Sequence, residues 1–257
     1  MSFLVKQFLD KCATEYAHIG FRKEHHTYAR IINDILQTFT VKQMNAGKLY
    51  TVEFGIYPLS MGLCFCPPGY YTLESFDIDS YLNGGWICES ISKEHIRQCL
   101  QAIEFRFELD VIPLFLRATS SEKALNELIE LDVRFEANRQ HALQKKGLVD
   151  RAKSQGERLR WSSEKYYLAL NAWDSAYIAR YLSFHIEHSQ QRLDHFRNHI
   201  GDVVQPPFVI EREERALEEL LLHKEMFDKG KQDFFCELLN KNETLSKNSL
   251  RKFLYKA

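Results

Sequence analysis

The sequence predicts an α+β protein: an N-terminal helix packed on a three- to four-stranded antiparallel sheet, followed by an all-helical region. Three observations predict it. The chain opens on an apolar stripe at helical spacing: Val5, Phe8, Leu9, Cys12 and Tyr16. Between Gly20 and Tyr57 the pattern changes to alternation broken by turn residues. From Ser92 onward it returns to helix and stays there.

Residues 2–18 read as one amphipathic helix, with Gly20 as its αL terminator. A helix with a single apolar stripe needs a surface to cover, and the sheet that follows offers one. The first strand is 27–32, TYARII, and Asn33-Asp34 makes the turn because both residues tolerate αL. The second strand is 35–43. Ile35, Gln37, Phe39 and Val41 share one face; Leu36, Thr38, Thr40 and Lys42 share the other. Asn45-Ala46-Gly47-Lys48 turns into the third strand, 49–57, with Tyr50, Val52, Phe54 and Ile56 inward and Thr51 and Glu53 outward. Pro58 closes it. LSMGLCFC, 59–66, is expected as a fourth, edge strand that Pro67-Pro68-Gly69 stops. Residues 69–91 read as irregular, with Trp86 as a plug over the sheet.

Ser92 and Glu94 start a helix with Ile96, Leu100, Ile103 and Phe107 on one side; Pro113 kinks or ends it. Ser120 and Ser121 are N-cap candidates for a helix over 121–137. A polar helix or long loop follows to 158. A short helix over about 161–171 comes next, and Asp174 caps a long one, 175–199. Pro206-Pro207 breaks the chain before helices near 209–228, 231–240 and 246–255. The expected organisation is a sheet domain over 1–91 and a helical region over 92–257, with room for one shared core.

Composition narrows the class. Of 257 residues, 45% are hydrophobic and 27% charged, enough for a sizeable core. A net charge of −1 provides no global field for nucleic acid or an anionic membrane. Lys6 and Asp10 interrupt any signal-peptide core, and no window approaches about 18 apolar residues in a row. The expectation is a cytoplasmic protein without a membrane span, its six cysteines reduced.

Gly20-Phe21-Arg22-Lys23, Tyr28-Ala29-Arg30, the strand ILQTFTVKQ and the strand YTVEFGIY together resemble an uncharacterised bacterial family, domain of unknown function 4304. Its members read G-F-(K/R)-K, a (F/Y)-x-R strand, a strand ending in Q-K or K-Q, and a T-V-x-x-G-I strand. Lys42-Gln43 and His25-His26 look like local variants. The resemblance covers roughly residues 1–135. It implies a bacterial origin and the fold above, and brings no activity with it.

The candidate chemistry lies in the helical half. On the 175–199 helix, Ile178, Leu182, Ile186, Leu193, Phe196 and Ile200 form an apolar face. Tyr177, Tyr181, His185, His188, Arg192, His195 and His199 form a flanking stripe. That stripe is the candidate binding surface, because tyrosine and histidine suit a partly wet interface and histidine titrates near neutrality. His195 and His199, four apart, are the candidate metal ligands. There is no HExxH, and Glu187 and Asp194 point away from the stripe.

Residues 139–165 are locally basic, with Arg139, Lys145, Lys146, Arg151, Lys153, Arg158, Arg160 and Lys165 beside Trp161, Tyr166 and Tyr167. His25-His26 reads as turn residues, and Cys64-x-Cys66 lacks zinc spacing. No GxSxG, GxxxxGK[ST] or GxGxxG occurs. The acidic run Glu211–Glu219 suits the first turns of a helix. The reading that follows is a protein that binds another protein and is not an enzyme, with no cofactor called for. The alternatives are a metal-dependent enzyme using the histidine stripe and a nucleic-acid binder using 139–165.

Overall fold

The computed structural model describes residues 3–24, 27–44, 49–65, 71–72, 76–77, 93–144, 160–198 and 207–254. Helix α1 is Phe3–Ala17, followed by strands β1 Arg22–Glu24, β2 Thr27–Ile32, β3 Ile35–Met44, β4 Leu49–Pro58, β5 Tyr71–Thr72 and β6 Phe76–Asp77. Then come α2 Lys93–Arg106, a π-helical turn Phe107–Val111, α3 Ile112–Arg117, α4 Ser121–Gln144, α5 Ser163–Ala172, α6 Ser175–Asn198, α7 Pro207–Asp228 and α8 Gln232–Leu254. The class is α+β, as the sequence predicts. Among the described residues no helix is long and apolar enough to cross a membrane.

Two compact units form: Met1–Glu127 with Lys241–Ala257, and Leu128–Asn240. The divisions thus fall after Glu127 and Asn240, where the change of pattern in the sequence suggests a boundary after residue 91. Helices α2 and α3 stay with the sheet, because Phe107 and Phe115 are part of its core.

In the first unit the strands make an antiparallel sheet in the order β1-β2-β3-β4-β5, with β6 also on β4. Both of its faces are covered. On one, Phe39 stacks on Tyr28 at 4.7 Å and meets Phe107 at 4.7 Å and Phe21 at 5.2 Å. Phe115 closes that side against Phe54 at 6.3 Å. Tyr16 of α1 reaches Phe39 edge-on, so α1 covers the sheet as its stripe requires. On the other face, Ala29, Leu36 and Tyr57 pack with Leu59 and with Leu250 of α8. The alternation in β3 is as read, and Leu36, Thr38 and Thr40 on the second face are buried too. The cover comes from the far end of the chain.

The edge strand expected over 59–66 does not form. Leu59–Met61 is a 3-10 turn closed by Gly62 at φ 79°. Its backbone finds partners outside a ladder. The Leu59 N–H donates to the Asp34 carbonyl at 2.8 Å, and Ser246 Oγ of α8 donates to the Leu59 carbonyl at 2.5 Å. The Leu63 N–H in turn donates to Ser246 Oγ at 2.6 Å. Cys66, Pro67-Pro68-Gly69, the turn 45–48 and Trp86 lie outside the described residues.

Pro113 does not end its helical run, which continues to Arg117. A proline inside a helix removes one ladder bond and crowds the carbonyl four residues back, here that of Leu109. The π turn over Phe107–Val111 surrounds Leu109 and widens the ladder there. The two C-terminal helices are one, α8. Asn240–Leu245 holds no proline or glycine to interrupt it.

In the second unit, α5 ends on Trp173 in the αL conformation, φ 54°. The Asp174 N–H returns to the Ala169 carbonyl at 2.9 Å. Asp174 Oδ1 then accepts the Tyr177 N–H at 3.0 Å, the predicted cap of α6. α6 packs along α7 and against α5.

Candidate functional site

The histidine stripe of α6 is divided by its surroundings. Its first half is core. Tyr177 and Tyr181 are buried beside Ile178 and Leu182, so the two stripes merge into one wide inner face. Tyr177 donates its hydroxyl to the Arg160 carbonyl. Tyr181 stacks on Tyr166 of α5, centroids 4.1 Å apart and planes 11° apart. His185 is half-buried, with Nε2 2.6 Å from the Trp161 carbonyl. His188 stacks on Phe184 at 5.9 Å. Arg192 donates to Glu213 of α7 at 2.6 Å. His195 is exposed, and His199 lies outside the described residues. The first half of the stripe therefore ties α6 to α5, while Arg192 and His195 are exposed. Of the residues expected on a binding stripe, Tyr177 and Tyr181 are core and His185 and His188 are half-buried.

The same surroundings set the acid–base state of the stripe. Burial pushes the Tyr181 hydroxyl up to about 12 and raises Tyr177 further. Burial lowers the His185 imidazole against the opposing pull of the Trp161 carbonyl. Such groups stay neutral at physiological pH.

Metal-capable groups collect elsewhere. Among the described residues the groups of three within reach of one ion reduce to Glu15, Glu104 and Glu108, whose oxygens lie within 4.8 Å of one another. The stripe contributes none of them. Lys11 ion-pairs with Glu104 there, which supplies a positive charge from the protein itself.

In the described part of the basic segment, Lys165 and Tyr166 are buried while Trp161 and Tyr167 are half-buried. Lys165 is fully buried and ion-pairs with Asp132 of α4. Tyr166 is core, and Trp161 packs on Tyr177 at 5.2 Å. Arg160 is exposed; residues 145–159 lie outside the described residues, as do His25-His26. Cys64 is exposed and Cys12 is buried.

The feature that sequence reasoning missed is in the first unit. Phe107, Val111, Leu114 and Phe115 bury one face of the rod α2–π–α3. Its opposite face is apolar as well. Phe105, Leu109 and Leu116 are 64%, 55% and 54% exposed. They follow each other at four and seven residues, so they lie along one line of the rod. A helical segment that is apolar all round is normally enclosed. The signal was present in FRFELDVIPLFL, 105–116, which places apolar residues at both phases of the helical period. Arg106 and Asp110 pair at 2.9 Å beside the line.

No family model, curated protein or solved structure matches the chain.

Proposed function

We propose that this chain works by binding another protein, and that the partner docks on the line Phe105–Leu109–Leu116. One observation carries the reading: a rod whose inner face is already filled presents a second apolar face to solvent. Charged pairs such as Arg106–Asp110 at its border suit the polar rim of an interface. The reading replaces the α6 stripe as the contact surface, because tyrosines already committed to a core are not free to meet a partner. The family resemblance belongs to this same unit and is compatible with an accessory role.

Affinity capture from the native host tests it. The bait is the full chain, with L109D/L116D as the test variant and L221D/L222D, on exposed leucines of α7, as the control. A stoichiometric partner kept by the wild type and the control but lost by L109D/L116D, at an unchanged melting temperature, is the expected result. Absence of any stoichiometric partner, or equal retention by all three baits, overturns the proposal.

A further inference from the structure

Four rings from three helices of the second unit stand in one column. His223 of α7 lies against Tyr166 of α5, centroids 6.1 Å apart and planes 24° apart. Tyr166 stacks on Tyr181 of α6. Tyr181 meets His185, one turn further along α6, at 4.3 Å. A histidine thus closes each end, and each end is hydrogen-bonded. The Tyr166 hydroxyl is 3.0 Å from His223 Nδ1. His185 Nε2 is 2.6 Å from the Trp161 carbonyl, which only accepts, so His185 carries a proton on that nitrogen.

We propose that this column is an acid-sensitive latch. It clasps α5, α6 and α7 while both end imidazoles are neutral, and it opens when they are protonated. The inference is independent of partner docking.

The surroundings explain why charge is unwelcome. His223 is 5% exposed. It faces Tyr166 from α5 and the rings of Phe234 and Phe235 from α8, at 5.9 and 5.7 Å. Its acidic neighbour is Glu219, one turn back on α7 and itself exposed. A neutral His223 that holds its proton on Nε2 accepts the Tyr166 hydroxyl at Nδ1. A proton added there reverses the donor and leaves the tyrosine hydrogen to find another acceptor in a buried site. His185 faces Tyr181, His188 and Arg192 on its own helix and the Trp161 carbonyl ahead of α5. The Arg192 guanidinium repels an imidazolium there. Arg192 is held by Glu213 of α7. Burial lowers both histidines from the ordinary 6.5.

The sign follows. The opened unit takes up protons that the closed unit refuses, so closure is complete above 6.5 and weakens as pH falls below it. Each histidine so linked shifts the opening equilibrium by up to about tenfold per pH unit, and two by up to about a hundredfold.

Hydrogen exchange on the full chain, read by mass spectrometry between pH 7.5 and 5.0 and corrected for intrinsic rates, tests the latch. Protection of the buried amides of α5 is expected to fall progressively as pH drops below 6.5. The H185Q/H223Q variant is expected to flatten that dependence. Equal protection across the range, or an unchanged slope in the variant, overturns the proposal. Should the variant not fold, imidazole NMR signals of the wild type decide. Titration of His185 and His223 in step with amide shifts across α5, α6 and α7 supports the latch. Titration without those shifts, or opening while both remain neutral, refutes it.

Discussion

Arg30 and Gln37 face each other across β2 and β3, and Arg30 Nε donates to Gln37 Oε1 at 2.7 Å. Both are buried. Arg30 also donates to the carbonyls of Ile19 at 2.7 Å and Phe115 at 3.2 Å, while Gln37 Nε2 donates to those of Phe115 and Ala118 at 2.7 and 2.8 Å. The pair satisfies the carbonyl end of α3, where the guanidinium also meets the negative end of the helix. Gln37→Leu removes the acceptor of Arg30 and two carbonyl contacts at once. A loss of about 2–3 kcal/mol in urea unfolding is expected, with Arg30→Met costing at least as much.

Thr38 should be better as valine. Its hydroxyl is fully buried and finds no hydrogen-bond partner among the described residues. Thr38→Val keeps the shape and removes the desolvated oxygen. A gain of about 1 kcal/mol in unfolding free energy is expected, measured against the wild type by denaturant titration.

Ser246 joins the C-terminal helix to the turn after β4 through the Leu59 carbonyl and the Leu63 N–H. Ser246→Ala leaves both without that hydroxyl. The expected cost is about 1–3 kcal/mol, and exchange at the Leu63 amide should accelerate before that of β3.

Lys165 and Asp132 form a buried ion pair in the second unit. Burial lowers the Lys165 ammonium and Asp132 opposes it. Asp132→Asn removes the compensating charge and is expected to cost about 3–5 kcal/mol. The double variant D132L/K165M should recover most of that loss, since a buried ion pair is often replaceable by apolar side chains. A double-mutant cycle by thermal unfolding reads both.

Cys12 is buried against the sheet, and burial, reinforced by Glu15, pushes its thiol up to about 12. Cys64 and Cys236 are exposed. Brief alkylation with iodoacetamide at mildly alkaline pH should label Cys64 and Cys236 and spare Cys12, which becomes reactive in denaturant. Peptide mapping of the labelled chain shows the order.

Much of the local structure was legible in the chain. In the first unit Ile35, Gln37, Phe39 and Val41 alternate as a strand does and Asn33 takes the αL turn at φ 54°; in the second, Asp174 caps α6. These features depend on local sterics and on the two periods of regular structure, which a linear reading detects. Leu59–Met61 was misread because its sequence alternates like an edge strand while its hydrogen bonds go to Asp34 and to Ser246, 187 residues further on.

The stripe on α6 shows the division most clearly. Spacing alone puts Tyr177, Tyr181, His185 and His188 on one flank of a helix. Whether that flank faces water depends on α5 and α7, whose positions no periodicity encodes. Tyr166 stacking on Tyr181 turns a candidate surface into a core, and Leu250 covers the face of the sheet that holds Ala29 and Leu36. The sequence by itself determined the elements, their turns and their inner faces, because these follow from local backbone geometry. Only the tertiary structure decided which second faces are also covered and that Phe105, Leu109 and Leu116 remain outside, because burial is a property of what packs from a distance.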